Sequence, residues 1–175
     1  MQKLIIGITG STGGLGKQLL KYKDKVKFIC FKNDIRSKRK VVQWFKKNRF
    51  DAIFHLAAIV PTNIVNKNKK VALDVNYKAT KNIVDEVIKY NINWFFFSST
   101  SHVYFSSKKK ISENFLIKPV SFYGLTKKLA EDYIIKKLNK TKLNYCIGRI
   151  FSISNKNHKK NFLVPELKKK ISHRK

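Results

Sequence analysis

Leu4-Ile5-Ile6-Gly7-Ile8-Thr9-Gly10-Ser11-Thr12-Gly13-Gly14-Leu15-Gly16 is an apolar run that breaks into glycines and reopens on a helical pattern. The first six residues read as a short strand buried on both faces. Gly10, Gly13 and Gly16 stand at three-residue spacing directly behind it. Such glycines let the backbone turn tightly after a strand and let a pyrophosphate approach the N-terminus of the next helix. A glycine triplet alone is an ordinary loop. Placed between a first strand and a helix, it predicts dinucleotide binding.

Outward from this stretch, apolar strand-like runs recur at Val26 to Phe31, Ala52 to Ala57, Trp94 to Ser98 and Leu143 to Ile150. Helical patterns lie between them, at Leu15 to Tyr22, Lys38 to Asn48, Val71 to Tyr90 and Phe122 to Leu138. In the third, Val71, Val75, Ala79, Ile83, Val87 and Ile88 repeat at helical spacing. Strand and helix alternate, and the strands are apolar throughout. That pattern predicts an α/β fold: a Rossmann-like, doubly wound parallel sheet in three αβα layers. Ligands bind such sheets at the carboxyl ends of the strands. Gly10 to Gly16, Leu56 to Ala58, Ser98 to Thr100 and Arg149 to Ser152 fall there. Residues 1–154 are expected to form the dinucleotide-binding domain and 155–175 a basic tail.

The 175 residues suffice for one core, and 39 Lys and Arg against 10 Asp and Glu leave a formal charge of +29. Such a charge brings nucleic acid to mind. The lysines are instead spread over loops and polar helix faces, the aromatics sit inside apolar strands, and no nucleic-acid motif organises either. No specific nucleic-acid partner is expected. Cys30 and Cys146 both fall in strand-like runs and read as buried small hydrophobes, so neither a disulfide framework nor a metal site is expected. No run approaches the roughly 18 apolar residues of a membrane span. The expected setting is cytoplasmic.

A second stretch carries chemistry. Tyr123-Gly124-Leu125-Thr126-Lys127 puts a phenol and an ammonium four residues apart on one helix face. A cation held near a phenol lowers its pKa and fits it for proton transfer. Ser98-Ser99-Thr100 closes a strand and offers a hydroxyl. With the glycine loop, these segments describe a nicotinamide-dependent redox site.

The chain resembles the extended short-chain dehydrogenase/reductases of the NAD-dependent epimerase/dehydratase family, the sugar-nucleotide group. Its motifs stand in order as Thr9 to Gly16, Asp34-Ile35, His55 to Ala58, Asn76 with Ala79, Thr80 and Asn82, Ser98 to Tyr104, Glu113, Pro119, Tyr123 to Lys127 and Arg149 to Phe151. The resemblance implies that Tyr123 moves the proton, that Lys127 bonds the nicotinamide ribose and depresses the Tyr123 pKa, and that Thr100 holds the substrate oxygen. It implies cofactor contacts from Gly10, Thr12, Gly13, Gly14, Leu15, Gly16, Lys32, Asp34, Ile35, Leu56, Ala57, Ala58, Asn76, Tyr123, Lys127 and Phe151. For Asn76 a capping or turn role stays open, and His55 reads as a packed core histidine. The implied function is 4-keto reduction or epimerisation of a nucleotide-sugar with NAD or NADP, by a chain that forms a homodimer in one reading. A cofactor-binding remnant or sensor, and a basic nucleic-acid-associated protein keeping the fold, are the alternatives.

Several positions depart from the family pattern. Ser101 and His102 replace the Asp-Glu pair that dehydratases carry, which argues against dehydration. Phe105 replaces a glycine and Ser152 an asparagine. Lys32 stands where an acidic ribose partner is often found and favours a 2′-phosphate, hence NADP. The family's C-terminal substrate region is expected to be largely missing, with Phe162 to Pro165 resembling its entry.

Overall fold

The structure is a computed structural model, and it describes residues 3–60 and 62–153. The expected tail at 155–175 lies outside the described residues. Five strands form one sheet: β1 (Ile5–Thr9), β2 (Lys27–Cys30), β3 (Ala52–His55), β4 (Trp94–Thr100) and β5 (Asn144–Ile150). All pairings are parallel and the spatial order is β2-β1-β3-β4-β5. The order reverses between β1 and β3. Because parallel crossovers are right-handed, the helix after β1 lies on one face and the later helices on the other. The sheet is therefore doubly wound, with its ligand crevice where β1 and β3 part.

The helices are α1 (Gly14–Leu19), α2 (Lys38–Lys47), α3 (Thr62–Lys67), α4 (Lys69–Leu73), α5 (Ala79–Lys89) and α6 (Phe122–Leu138). Ser37 and Ser121 cap α2 and α6 with their hydroxyls, each accepting a backbone N–H from the first turn. The continuous helix expected over 71–90 is interrupted. Asp74–Lys78 widens into a π turn in which the Ala79 N–H reaches back five residues to the Asp74 carbonyl. Such widened turns cluster at functional sites. α3 was not expected from the sequence, because six residues with a mostly polar face leave no periodic signal.

Register places Gly7, Ile53, Phe95 and Tyr145 in one row across the sheet, and Thr9, His55 and Phe97 in the next row on the same face. This face packs under α2, α5 and α6, whose Val41, Trp44, Phe45, Ile83, Val87 and Ile134 belong to the same core. Trp44, Phe45 and Phe50 meet at centroid distances of 4.7 to 5.6 Å. On the opposite face Phe54, Trp94 and Phe96 cluster with ring centroids 5.4 to 6.2 Å apart, yet each is only half-buried. That face corrects the reading of the cysteines. Cys146 pairs with Phe96 on the last strand of the sheet and is exposed, and Cys30 is half-buried.

Candidate active site at the carboxyl edge of the sheet

Because the strands are parallel and in register, the residues that follow them gather along one edge. Gly10 leaves β1 with φ +74°, a conformation natural to glycine. A Cβ there would lie 2.6 Å from the Ala57 nitrogen, so the loop rests directly on the backbone leaving β3. Gly16 is buried against the same loop, while Thr12, Gly13 and Gly14 are exposed and Leu15 is half-buried. At Gly13 a Cβ would meet only the Gly10 carbonyl, at 3.4 Å. Gly13 caps α1 without a side-chain hydrogen bond, and the first turn holds no acid. Free N–H groups, an open face and no competing carboxylate fit a phosphate group.

The floor beneath this loop is a closed polar chain. His55 is fully buried, with Nδ1 2.7 Å from Thr9 Oγ1 and Nε2 2.9 Å from Thr80 Oγ1. Thr80 donates its hydroxyl to the Asn76 carbonyl at 2.8 Å, so it must accept from Nε2–H. Thr9 accepts the Ala57 N–H at 3.3 Å and donates to Nδ1. The chain balances only for a neutral imidazole. Burial accordingly pulls its pKa down to about 3, with the Lys127 charge adding to the effect. His55 is thus the packed core histidine expected of it.

Asn76 sits in the π turn, fully buried. Its amide accepts the Ile59 N–H at 2.8 Å and donates to the Ile59 carbonyl at 3.0 Å and to Thr126 Oγ1 at 3.1 Å. It therefore straps the half-buried segment Leu56 to Ile59 to α6. Thr126 is the partner that sequence reasoning missed. It lies one residue before Lys127 and is buried with Tyr123 and Lys127 on α6.

Thr100 ends β4 and Tyr123 opens α6, and both are nearly buried. What brings them together is Gly124. A Cβ there would stand 2.2 Å from the His102 carbonyl, so the turn after Thr100 and the first turn of α6 touch backbone to backbone. His102 packs edge-on against Tyr123 at 5.8 Å, its Nδ1 3.0 Å from the capping hydroxyl of Ser121. Lys127, one turn on, is fully buried with its ammonium 3.9 Å from the centre of the Phe97 ring.

The electrostatics differ from the expectation that Lys127 depresses the Tyr123 pKa. Burial pushes the phenol up, and the opposing influence is the Thr100 hydroxyl. Lys127 is itself desolvated and brought down to about 7, with the Glu131 carboxylate working the other way. A buried cation against an aromatic face and near a carboxylate has little field left for a phenol.

Glu131 was not singled out by sequence, although it lies one turn beyond Lys127 on the same face. It is fully buried and accepts from Ser99 Oγ and from Arg149, whose Nη2 stands 2.9 Å away. Arg149 Nη1 donates to Tyr104 Oη at 3.0 Å and to the Glu113 carbonyl at 3.1 Å. The remaining expected positions fall outside this network. Lys32 and Asp34 are exposed after β2, and Asp34 is held below the usual carboxylate range by the Arg36 side chain paired with it. Ile35 is buried in the core and Phe151 is exposed after β5. Among the described residues no cluster of three His, Cys, Asp or Glu could hold a metal, and no helix is long and apolar enough to cross a membrane.

Known proteins resemble this chain. A UDP-glucose 4-epimerase of Pisum sativum is 30% identical over 95 residues, 54% of this chain and 27% of its own length. A structure titled MoeE5 in complex with UDP-glucose and NAD superposes with a TM-score of 0.82 at 21% identity, over 93% of this chain and 59% of that one. The dTDP-4-dehydrorhamnose reductase of Bacillus anthracis in complex with NADP gives 0.77 at 24% identity, over 86% and 54%. The chain thus spans less than two thirds of each, and the two structures establish the fold alone. The family profile described as NAD dependent epimerase/dehydratase matches residues 6–175, and with that match running through every strand and motif above, the chain belongs to this family.

Proposed function

We propose that this chain binds NAD or NADP across the β1/β3 crevice and serves 4-keto reduction or epimerisation of a nucleotide-sugar. The observation that carries the proposal is the meeting of Thr100, Tyr123 and Lys127 at the same sheet edge as an uncapped, open glycine loop. Gly10 to Gly16 would hold the pyrophosphate, Leu56 to Ala58 and Asn76 would shape the cleft, and Lys127 would meet the nicotinamide ribose. When bound, the cofactor supplies a hydride donor or acceptor. Hydride arriving at a sugar C4 carbonyl must be matched by a proton at its oxygen. Tyr123, kept as a neutral phenol by burial, donates that proton. Run backwards, a sugar hydroxyl would give its proton to the Tyr123 phenolate as hydride leaves its carbon, which is the first half of an epimerisation. Thr100 orients the oxygen, and its hydroxyl, which opposes the effect of burial on the phenol, eases loss of the proton. Ser101 and His102 supply no carboxylates for water elimination.

Lys32, exposed after β2 while Arg36 occupies Asp34, supports a 2′-phosphate and hence NADP. Calorimetric titration of the full chain with NADH and NADPH, followed by nicotinamide absorbance with a panel of nucleotide-4-keto-sugars, tests the reading. Binding of NADPH above NADH with turnover of a keto-sugar is expected. Absence of binding by either cofactor sinks it.

A further inference from the structure

Glu131 is the one fully buried carboxylate among the described residues, and its surroundings are more than a staple between elements. It accepts from Ser99 on β4 and takes three bonds of 2.9 to 3.2 Å from Arg149 on β5. Arg149 in turn stacks over Tyr104, 4.8 Å from the ring centre, and fastens the Glu113 carbonyl. One carboxylate thereby ties both flanking strands and the connection between β4 and α6 to the helix that carries Tyr123 and Lys127. If joining elements were the only requirement, apolar side chains of similar volume would do as well, since buried ion pairs seldom add net stability.

We propose that the Glu131–Arg149 pair sets the charge on Lys127, the Glu131 carboxylate lying one turn along the same buried face of α6 and Arg149 governing how much of its field reaches the ammonium. The inference rests on the reading of Lys127 as the ribose-binding cation of the proposed site. The groups set about Lys127 are Tyr123 and Glu131 on the same buried face of its own helix, the Phe97 ring from β4 and His55 from β3, while Arg149 reaches it from β5 through Glu131. Tyr123 and His55 are neutral near pH 7. Glu131 is the only acid in this set, and burial has already brought Lys127 to about 7. The charge on Lys127 near neutrality therefore turns on the pair. Removing the carboxylate discharges Lys127 at lower pH, and removing the guanidinium retains its charge to higher pH.

The test is to label lysine Cε with carbon-13 in the full chain, identify the Lys127 resonance by its loss in Lys127→Arg, and follow its titration. In Glu131→Gln the midpoint should fall, and in Arg149→Met it should rise, each by on the order of one pH unit. Glu131→Asp should stay near the wild type, and if Glu131→Gln does not fold, the rise in Arg149→Met decides. Midpoints unmoved in folded Glu131→Gln and Arg149→Met, or moved in the same direction, overturn the proposal and leave the pair a structural staple. Cofactor titration of the wild type separates the two readings, because failure to bind NAD(P) refutes the proposed function without altering these midpoints.

Discussion

The two halves of the site are made of different material. The glycine loop is backbone: its shape follows from Gly10 at positive φ and from main-chain contact with Ala57, and what it would offer a ligand is N–H donors. The Thr100, Tyr123 and Lys127 half is side chain, and its properties come from burial beneath α6. A backbone site is a matter of fit, in which one added methyl group obstructs or does not. A side-chain site is a matter of energy levels, adjustable by each neighbour that desolvates or pairs a titrating group. Mutations in the two halves should therefore fail in different observables.

The largest effect is expected in the side-chain half. Tyr123→Phe should lower hydride transfer by about 10²- to 10⁴-fold while cofactor affinity stays close to wild type. Stopped-flow nicotinamide absorbance with a keto-sugar the wild type turns over measures it, and full activity would assign the proton to another group. In the backbone half, Gly10→Ala should cost about 3 kcal/mol of stability in urea, since it adds a strained φ to a main-chain overlap. A loss confined to cofactor binding would mean that the loop moves to admit the methyl group.

A pH experiment separates the halves without substrate. Lys127 titrates near 7 when folded and near its ordinary value of 10.5 when unfolded, so between these limits the unfolded chain binds the extra proton. Stability should rise with pH across that window by at most about 1.4 kcal/mol per unit, and Lys127→Met should abolish the rise. His55 gives the acid counterpart. Its folded value of about 3 lies below the ordinary 6.5, so its contribution is complete above 6.5 and is lost as pH falls towards 3. The smallest effect is expected at Gly13. Gly13→Ala meets nothing closer than 3.4 Å, so it should leave the melting temperature unchanged and weaken cofactor binding about tenfold. Unchanged affinity there would place the pyrophosphate elsewhere.

Which parts were legible in sequence follows the same division. The five strands were located to within two residues at either end, because each is a run of apolar side chains closed by a change of composition. The helix Phe122–Leu138 was read to its ends. Reading failed where short-range pattern carries no information. α3 has too few apolar positions, and the π turn at Asp74–Lys78 keeps the hydrophobic spacing while shifting Asn76 into the interior. The burial of Glu131 was equally hidden, because its partners Ser99 and Arg149 are 32 and 18 residues away.

The sequence by itself determined the doubly wound sheet, the place of its ligand edge and the residue types gathered there, since all of these follow from periodicity and from glycines whose role is local. Tertiary structure alone decided the state of those residues. The direction in which a phenol or an ammonium shifts depends on how much water is left around it and on which charge faces it. For Tyr123 that balance was struck by burial and the Thr100 hydroxyl, and not by the lysine four residues along.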